Sequence, residues 1–454
     1  MSEHTTSRAA DPMRRSLLRA ATLTVTTCLA LVAGTADSRA QGLIRDTEIE
    51  QLLNDYARPV FKAAGLGEGR VAIRIVRSDV YNAFVLDGRN VFMHTGSLQQ
   101  SDTPNQVIGV IAHEAGHITG GHLAALRARI ARDTTRILLT RVLGIGVAIA
   151  TGNPAAAAAG DELVIRSLLA ERRSQESAAD QAGLSFLNAT RQSGKGMLET
   201  FERFAQQEYI GDQNKDPFVR SHPVATDRLA NLRDAVQRSP HFPTKDLPAL
   251  QFRHDMMRAK LDGYLMRPQS VFNKYPLTNT SMPARYARAI ARFFQGGVEA
   301  AVAEIDALIK ERPDNPYFHE LKGDFYKRAG RSKEAVSHLR QALKLAGDAN
   351  LIRVELAQSL LMTEDAAVLE EATTLLRRSL VEDQNPTAFR ELANALYKQN
   401  KQPEAEASLA QGAYLEGDLK QAKIYAQRAR RGLPAGSPSA LKMDDIINYK
   451  PPVE

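Results

Sequence analysis

The sequence lacks tryptophan altogether and contains one cysteine, Cys28, among its 454 residues. A single cysteine excludes an internal disulfide and the cysteine clusters that hold structural zinc. Cys28 also lies in an N-terminal apolar stretch that we expect to be removed. The mature chain would then have no thiol, which suits an oxidising compartment. Any metal site in it must use histidine and carboxylate ligands.

The chain also lacks a strong excess of one charge and a long apolar run. Its net charge of +7 comes from Lys and Arg residues that are mixed with Asp and Glu along the chain. Nucleic acid binding would need a clustered basic face, so we predict no nucleic acid partner and at most a peripheral contact with membranes. Outside the N-terminal stretch, no run reaches the 18 apolar residues of a membrane span, which argues against an embedded protein.

The N-terminus has the pattern of a secretory signal. Three arginines, the last of them Arg19, precede an apolar run at 20–33, and the small residues Ser38 and Ala40 are spaced as a cleavage site. We predict cleavage near Ala40 and a periplasmic location, with the Sec and twin-arginine export routes both open. The alternative is an N-terminal membrane anchor, for which this run is short.

Residues 43–236 mix strand and helix patterns. The runs at 71–76 and 83–93 read as strands, and Asp87-Gly88 interrupts the second run as a tight turn, which predicts a hairpin. Helical patterns then extend to about residue 235. An apolar segment at 137–159 begins with a run of about 15 residues, 137–151, and this run is too short for a standard membrane span. It is interpreted as a helix that covers the core, a mobile flap or a membrane-surface element.

A period of 34 residues organises the C-terminal part. Ala289, Gly323 and Ala357 are successively 34 residues apart, and so are Ala301 and Ala335. Small residues at this period are typical of tetratricopeptide repeats, whose paired helices approach closely; an ordinary helical domain is the alternative. The predicted division is a signal peptide, a mixed α/β part, a connector, the repeats and a tail, at 1–40, 43–236, 237–281, 282–435 and 436–454.

The segment His113-Glu114-Ala115-Gly116-His117 follows an apolar helical pattern. Residues four apart share one face of a helix, so the two histidines can hold one metal ion, and Glu114 can reach a water beside it. A catalytic zinc needs a third protein ligand and leaves one position open. We predict that Glu176 is this ligand and that Asp180 orients a ligand histidine. Solvated surface acids are the alternative for both residues.

These motifs resemble the M48 family of zinc metallopeptidases. The resemblance rests on HEAGH and on a later E-x-x-A-D segment, in which Ala178 replaces a glutamate that is not an expected ligand. Asn82, Ala83 and Phe84 also resemble the strand motif that precedes the family's zinc helix. The resemblance implies one Zn²⁺ per chain and a zincin-like α+β catalytic domain, with a small antiparallel sheet and the HExxH helix. With the repeats as an α-solenoid, the fold is predicted to be mainly α.

Ser221-His222-Pro223, followed by Arg228, resembles a further motif of this family. The resemblance implies that His222 approaches the zinc, as a fourth ligand at rest or as a stabiliser of the oxyanion, and that Arg228 supports the same site. A histidine at a helix start is the alternative. His94 and His122 are interpreted as surface or packing residues.

With its signal and repeats, the chain is similar to BepA-type periplasmic proteases. The resemblance implies an endopeptidase with Glu114 as the base, which cleaves misfolded or stalled envelope proteins and has chaperone-like activity. Substrate would lie as a strand beside the 83–93 hairpin, and the repeats would bind substrate or the outer-membrane assembly machinery. The alternative is a repeat-based chaperone or adaptor in which the zinc site is silent or self-inhibited.

Overall fold

The structure is a computed structural model that describes residues 42–129, 155–205, 221–222, 226–347 and 349–451. The side chains of the helix that begins at Ala155 are described from residue 170 onward. The predicted signal peptide with Cys28, Pro223, and residues 137–154 of the apolar segment lie outside the described residues. The last five residues of that segment are helical in their backbone. Within the described parts of the chain, no helix has both the length and the apolar character of a membrane span.

A four-stranded sheet lies at the N-terminal end of the chain. Its strands are β1 (Leu43–Ile44), β2 (Ala72–Val76), β3 (Ala83–Val85) and β4 (Asn90–His94), in the order β1-β2-β4-β3. The β3–β4 hairpin is present as predicted. Its turn contains Gly88 at φ +71° and the Asp87 side chain, which accepts from two backbone N–H groups.

The prediction of an antiparallel sheet is wrong for one pair of strands, because β2 and β4 are parallel and the sheet is mixed. The cause is that the β3–β4 hairpin joins the sheet through its second strand. β4 lies between β2 and β3, and its Val91 and Met93 are fully buried. The short strand β3 runs antiparallel to β4 and is placed at the outer edge.

Six helices with described bounds surround this sheet, and residues 122–129 are helical as well. The six helices are α1 (Thr47–Ala63), α2 (Thr95–Gln100), α3 (Pro104–Thr119), α4 (Ala155–Ala189), α5 (Lys195–Ala205) and α6 (Thr226–Arg238). Asp46 caps α1 by accepting from the Ile49 backbone N–H at 3.0 Å. Helix α3 is buried along most of its length and packs between α1, α4 and α5. The HEAGH segment therefore lies in the centre of this half.

The predicted connector contains α7 (Pro248–Leu265) and α8 (Pro268–Lys274). Met257 and Leu261 of α7 belong to the core around the sheet, whereas Met256 and Ala259 belong to the core of the following helices. Helix α7 thus contributes to the core around the sheet and to the core of the repeats, because it has apolar residues on two different faces.

The remaining helices form the predicted solenoid of repeats. They are α9 (Met282–Phe294), α10 (Val298–Glu311), α11 (Pro316–Arg328), α12 (Ser332–Leu345), α13 (Asn350–Leu361), a 3₁₀ turn (Ala366–Val368), α14 (Leu369–Glu382), α15 (Pro386–Lys398), α16 (Gln402–Leu415), α17 (Leu419–Gly432) and α18 (Pro438–Asn448). Consecutive helices pack on one another. A Cβ on Gly323 would lie 2.6 Å from Leu339, which explains the small residue at that period. The predicted tail carries one further helix, α18.

A buried ionic cluster joins the half that contains the sheet, called the catalytic half below, to the half that contains the repeats. Lys260 of α7 lies 2.7 Å from Asp46, 3.3 Å from Glu48 and 3.6 Å from Glu320 of the repeats. Tyr286 donates a hydrogen bond of 3.1 Å to Glu48. The start of α1 is therefore fixed against the repeats through paired charges, and a cavity of about 470 Å³ remains beside it.

Candidate active site

Two glycines allow α3 and α4 to cross closely at the site. A Cβ on Gly116 would lie 2.6 Å from the carbonyl oxygen of Ala179, and a Cβ on Gly183 would lie 3.0 Å from the carbonyl of Ala112. Larger residues at either position would separate the two backbones. The crossing places the HEAGH turn of α3 directly against the segment of α4 that contains Glu176.

The structure brings together the three predicted ligands and a fourth group. His113, His117, Glu176 and His222 each offer one ligand atom, and these atoms lie within 4.8 Å of one another. The Nε2 atoms of His113 and His117 are 3.1 Å apart, and each lies 3.4 Å from a Glu176 oxygen. His222 Nδ1 is 3.1 Å from Glu176 Oε2. Three imidazole nitrogens and one carboxylate oxygen are a donor set that fits zinc.

Asp180 and Arg228 lie behind the cluster. Asp180 Oδ1 is 2.8 Å from His113 Nδ1, so the other ring nitrogen of His113 faces the cluster. The Arg228 guanidinium donates two hydrogen bonds to Asp180, contacts Glu176 at 3.1 Å and lies over the Phe201 ring. Arg228 thus holds both carboxylates in place.

The cluster is electrostatically suited to a cation. Burial acts to raise the pKa of Glu176, but the neighbouring His222 and His113 lower that pKa well below its usual value. Burial likewise opposes the ionisation of Asp180, and hydrogen bonds from Arg228 and His113 lower its pKa. Burial acts to lower the pKa of His113, and Asp180 and Glu176 raise it to about 9. Two ionised carboxylates in a buried site thus create a demand for positive charge.

Glu114 projects into the same space from α3. Its side chain is buried, and neither carboxylate oxygen accepts a hydrogen bond from a described residue. His222 Nε2 lies 3.4 Å from Oε1. Burial raises the pKa of Glu114 above its usual value. A carboxylate with a raised pKa and without a hydrogen-bond donor is suited to accepting and releasing a proton.

His222 also contacts the edge of the sheet. The His94 backbone N–H donates to the Asn82 carbonyl, so the backbone groups of Asn82 face β4 and those of Ala83 face the outer edge of β3, where Ala83 is buried. His222 Nε2 lies 3.1 Å from the Ala83 carbonyl oxygen. Ser221 Oγ is 3.0 Å from Asn82 Oδ1, which anchors the residue before His222 to the same strand.

A cleft of about 380 Å³ opens beside these groups. Phe84 lines it and stacks on Phe92 with ring centroids 5.3 Å apart. Of the predicted substrate strand, Asn82 to Phe84, Phe84 lines the cleft, whereas Ala83 is buried behind it. His94 packs edge-on against Phe84 as a packing residue.

Sequence reasoning missed two residues at this site. His122 was interpreted as a surface or packing residue, but its Nδ1 lies 3.0 Å from His117 Nδ1. Arg172 donates a 2.6 Å hydrogen bond to the Ser221 carbonyl and so fixes the segment that carries His222. The glycine pair before His122 was the one signal in the sequence, because two glycines after a helix permit the chain to turn back.

Comparisons with known proteins relate the chain to metalloproteases. Residues 44–236 match peptidase family M48. The chain is 24% identical to the beta-barrel assembly-enhancing protease of Yersinia pestis over 425 residues, covering 89% of this chain and 84% of that protein. The protein of the same name in Escherichia coli (strain K12) is 24% identical over 420 residues with the same coverage. Metalloprotease LoiP of Escherichia coli (strain K12) is 24% identical over 209 residues, 44% of this chain and 79% of LoiP.

Proposed function

We propose that the chain, a zinc metalloprotease whose residues 44–236 match peptidase family M48, is an exported endopeptidase for misfolded or stalled envelope proteins. The observation that supports the proposal most directly is the convergence of His113, His117 and Glu176, from two helices, beside the buried Glu114. The envelope substrate is proposed because the relatives that span most of the chain are named for beta-barrel assembly.

We propose His113, His117 and Glu176 as the zinc ligands. Zinc held there supplies Lewis acidity, which polarises the scissile carbonyl and lowers the pKa of water. Glu114 takes the proton of the attacking water and passes it to the leaving amine. Asp180 holds the tautomer of His113, and Arg228 holds Asp180 and Glu176.

The substrate is proposed to bind as an extended strand at the outer edge of β3. Backbone groups of Ala83 face that edge but are buried, and His222 contacts the Ala83 carbonyl. His222 must therefore move before an added strand can pair with these groups by main-chain hydrogen bonds. The aromatic ring of Phe84 lines the adjoining cleft and offers an apolar contact to a substrate side chain. The repeats, which are joined to the catalytic half through Lys260, are proposed to bind the substrate or a partner of the assembly machinery.

Glu114→Gln tests the hydrolytic mechanism. The mature protein is expected to cleave casein or an unfolded outer-membrane protein, to lose this activity with a chelator and to regain it with zinc. Glu114→Gln should keep one zinc per chain and lose at least about 100-fold in cleavage rate, because the general base is removed. Glu68→Gln changes an exposed glutamate and is the matched control. Cleavage by Glu114→Gln at the native rate would refute the mechanism.

The second candidate function is a chaperone or adaptor whose zinc site is self-inhibited. One observation favours this candidate. His222 contacts both Glu176 and the Ala83 carbonyl. It therefore lies where a fourth zinc ligand would bind and also covers the strand edge proposed for the substrate. If His222 inhibits, His222→Ala should cleave faster than the native protein. If His222 instead stabilises the oxyanion, the same variant should cleave more slowly. Suppression of aggregation by Glu114→Gln would show whether chaperone activity is independent of cleavage.

A further inference from the structure

His122 returns to the zinc helix through a turn made of two glycines. Helix α3 ends at Thr119, Gly120 continues with φ −73° and ψ −9°, and Gly121 takes φ +62°. A positive φ is costly for any residue with a Cβ. This reversal brings the His122 ring edge-on against His117, with ring centroids 5.1 Å apart and planes at 80°.

The contact involves the ring nitrogen of His117 that faces away from the cluster. His117 Nε2 faces Glu176 and His113, so a metal in the cluster would use its lone pair. The neutral ring must then carry its proton on Nδ1. The Nδ1 of His122, at 3.0 Å, is the acceptor that this proton requires. Asp180 has the same relation to Nδ1 of His113.

Gly120 provides the space in which the His122 ring lies. A Cβ on Gly120 would approach Cε1 of His122 to 2.7 Å and Cδ2 to 2.8 Å. The backbone of Gly120 is right-handed helical, so alanine is compatible with its φ and ψ. Among the described residues, it is therefore the His122 ring, and not the backbone conformation, that excludes a side chain at position 120. The glycine pair serves two purposes, since Gly121 turns the chain and Gly120 accommodates the imidazole.

We propose that His122 is a positioning residue of the zinc site, which accepts the Nδ1–H of His117 and thereby aims Nε2 at the metal. The two ligand histidines then have different supports, a carboxylate for His113 and a neutral imidazole for His117. This inference rests on the proposed zinc site. It goes beyond that site by assigning a role to the HEAGH helix's C-terminal turn.

Zinc affinity, measured by competition with a fluorescent chelator, tests the role without substrate. His122→Leu keeps an apolar side chain of similar size but removes the acceptor, and should weaken zinc binding by about 10–100-fold. His122→Asn places a carbonyl oxygen near the position of Nδ1 and should restore affinity to within about threefold of the native value. The visible spectrum of the Co²⁺-substituted protein should change in His122→Leu and be native-like in His122→Asn.

Gly120→Ala provides an independent route to the same loss. Its Cβ would displace the His122 ring and should weaken zinc binding as His122→Leu does. In the His122→Leu background the alanine should add little, because the two changes remove one interaction. His338→Leu removes a half-buried histidine of the repeats and should leave affinity unchanged.

The outcomes separate this inference from the proposed function. If the native protein binds no zinc, the proposed function itself fails. If the native protein binds zinc and His122→Leu binds it equally well, only the role of His122 is refuted. Equal loss in His122→Asn and His122→Leu would also refute it, because ring packing rather than an acceptor would then matter. Unfolding temperatures of the zinc-free variants control for altered stability.

Discussion

Gly116→Ala is expected to disable the site without touching any proposed ligand. The new Cβ would lie 2.6 Å from the Ala179 carbonyl oxygen, and ordinary van der Waals contact begins at 3.4 Å, so α3 and α4 must separate by about 3.4 − 2.6 = 0.8 Å. His117 follows Gly116 directly, and Glu176 precedes Ala179 by three residues. The separation therefore opens the gap of 3.4 Å between His117 and Glu176.

The expected cost has two parts. Overpacking of a tight contact typically costs about 1–3 kcal/mol of stability. Misplacement of catalytic groups by about 1 Å typically costs about 100-fold in rate. We therefore expect a moderate fall in unfolding temperature and a loss of kcat/KM of about 100-fold, together with weaker zinc binding.

Three measurements would check this expectation: zinc affinity by chelator competition, peptide cleavage, and thermal unfolding with and without zinc. Gly42→Ala is the matched control, because no atom of the described residues lies within 4 Å of its added Cβ and its φ needs no glycine. A folded Gly116→Ala protein with native zinc affinity and native kcat/KM would refute the reasoning. It would mean that the approach of the two helices does not set the ligand geometry.

Three further predictions follow from buried groups. Asp180→Asn should weaken zinc binding by about 10–100-fold, since it removes the charged acceptor of His113; an unchanged dissociation constant in a chelator titration would contradict this. Lys260→Met should lower the free energy of unfolding by about 3–5 kcal/mol, because Glu48 and Glu320 lose their buried partner; denaturant titration would measure it, and a loss below about 1 kcal/mol would contradict it. His254 is buried between the Tyr56 hydroxyl and the Ser101 carbonyl, and burial lowers its pKa to about 4 from 6.5. As the pH falls, the unfolded chain therefore takes up a proton at a higher pH than the folded protein does. The free energy of unfolding should then fall by about 3 kcal/mol between pH 6.5 and about pH 4. His254→Gln should show a shallower fall, and an equally steep one would exclude His254 as its cause.

The site could be predicted from sequence to the extent that its groups share a helix. His113, Glu114 and His117 lie within one turn and a half, so their convergence follows from helix geometry alone. Glu176 and Asp180 form a similar pair on α4, and they were predicted through the chemistry that a zinc site requires. Their contact with α3 depends on Gly116 and Gly183, whose partners are remote in sequence.

Other features depended on contacts that no local pattern encodes. The sheet is mixed because β4 takes the buried central position, and alternation of residues does not indicate which strand becomes central. Arg172 and His122 were missed because each acts through a hydrogen bond to another residue of the site. A solvated arginine and a histidine at a helix end have the same local sequence patterns.

The sequence by itself determined the elements and the chemistry: the HEAGH helix, the hairpin, the repeats with their 34-residue period, and the restriction of any metal site to histidine and carboxylate ligands. These follow from local periodicity and from residue types. The tertiary structure alone decided that His222 contacts the Ala83 carbonyl of β3, that Lys260 joins the sheet-containing half to the repeats, and that His122 lies against His117. Such contacts join residues that are far apart in the sequence or lie across a turn, and their positions are fixed only when both cores have packed.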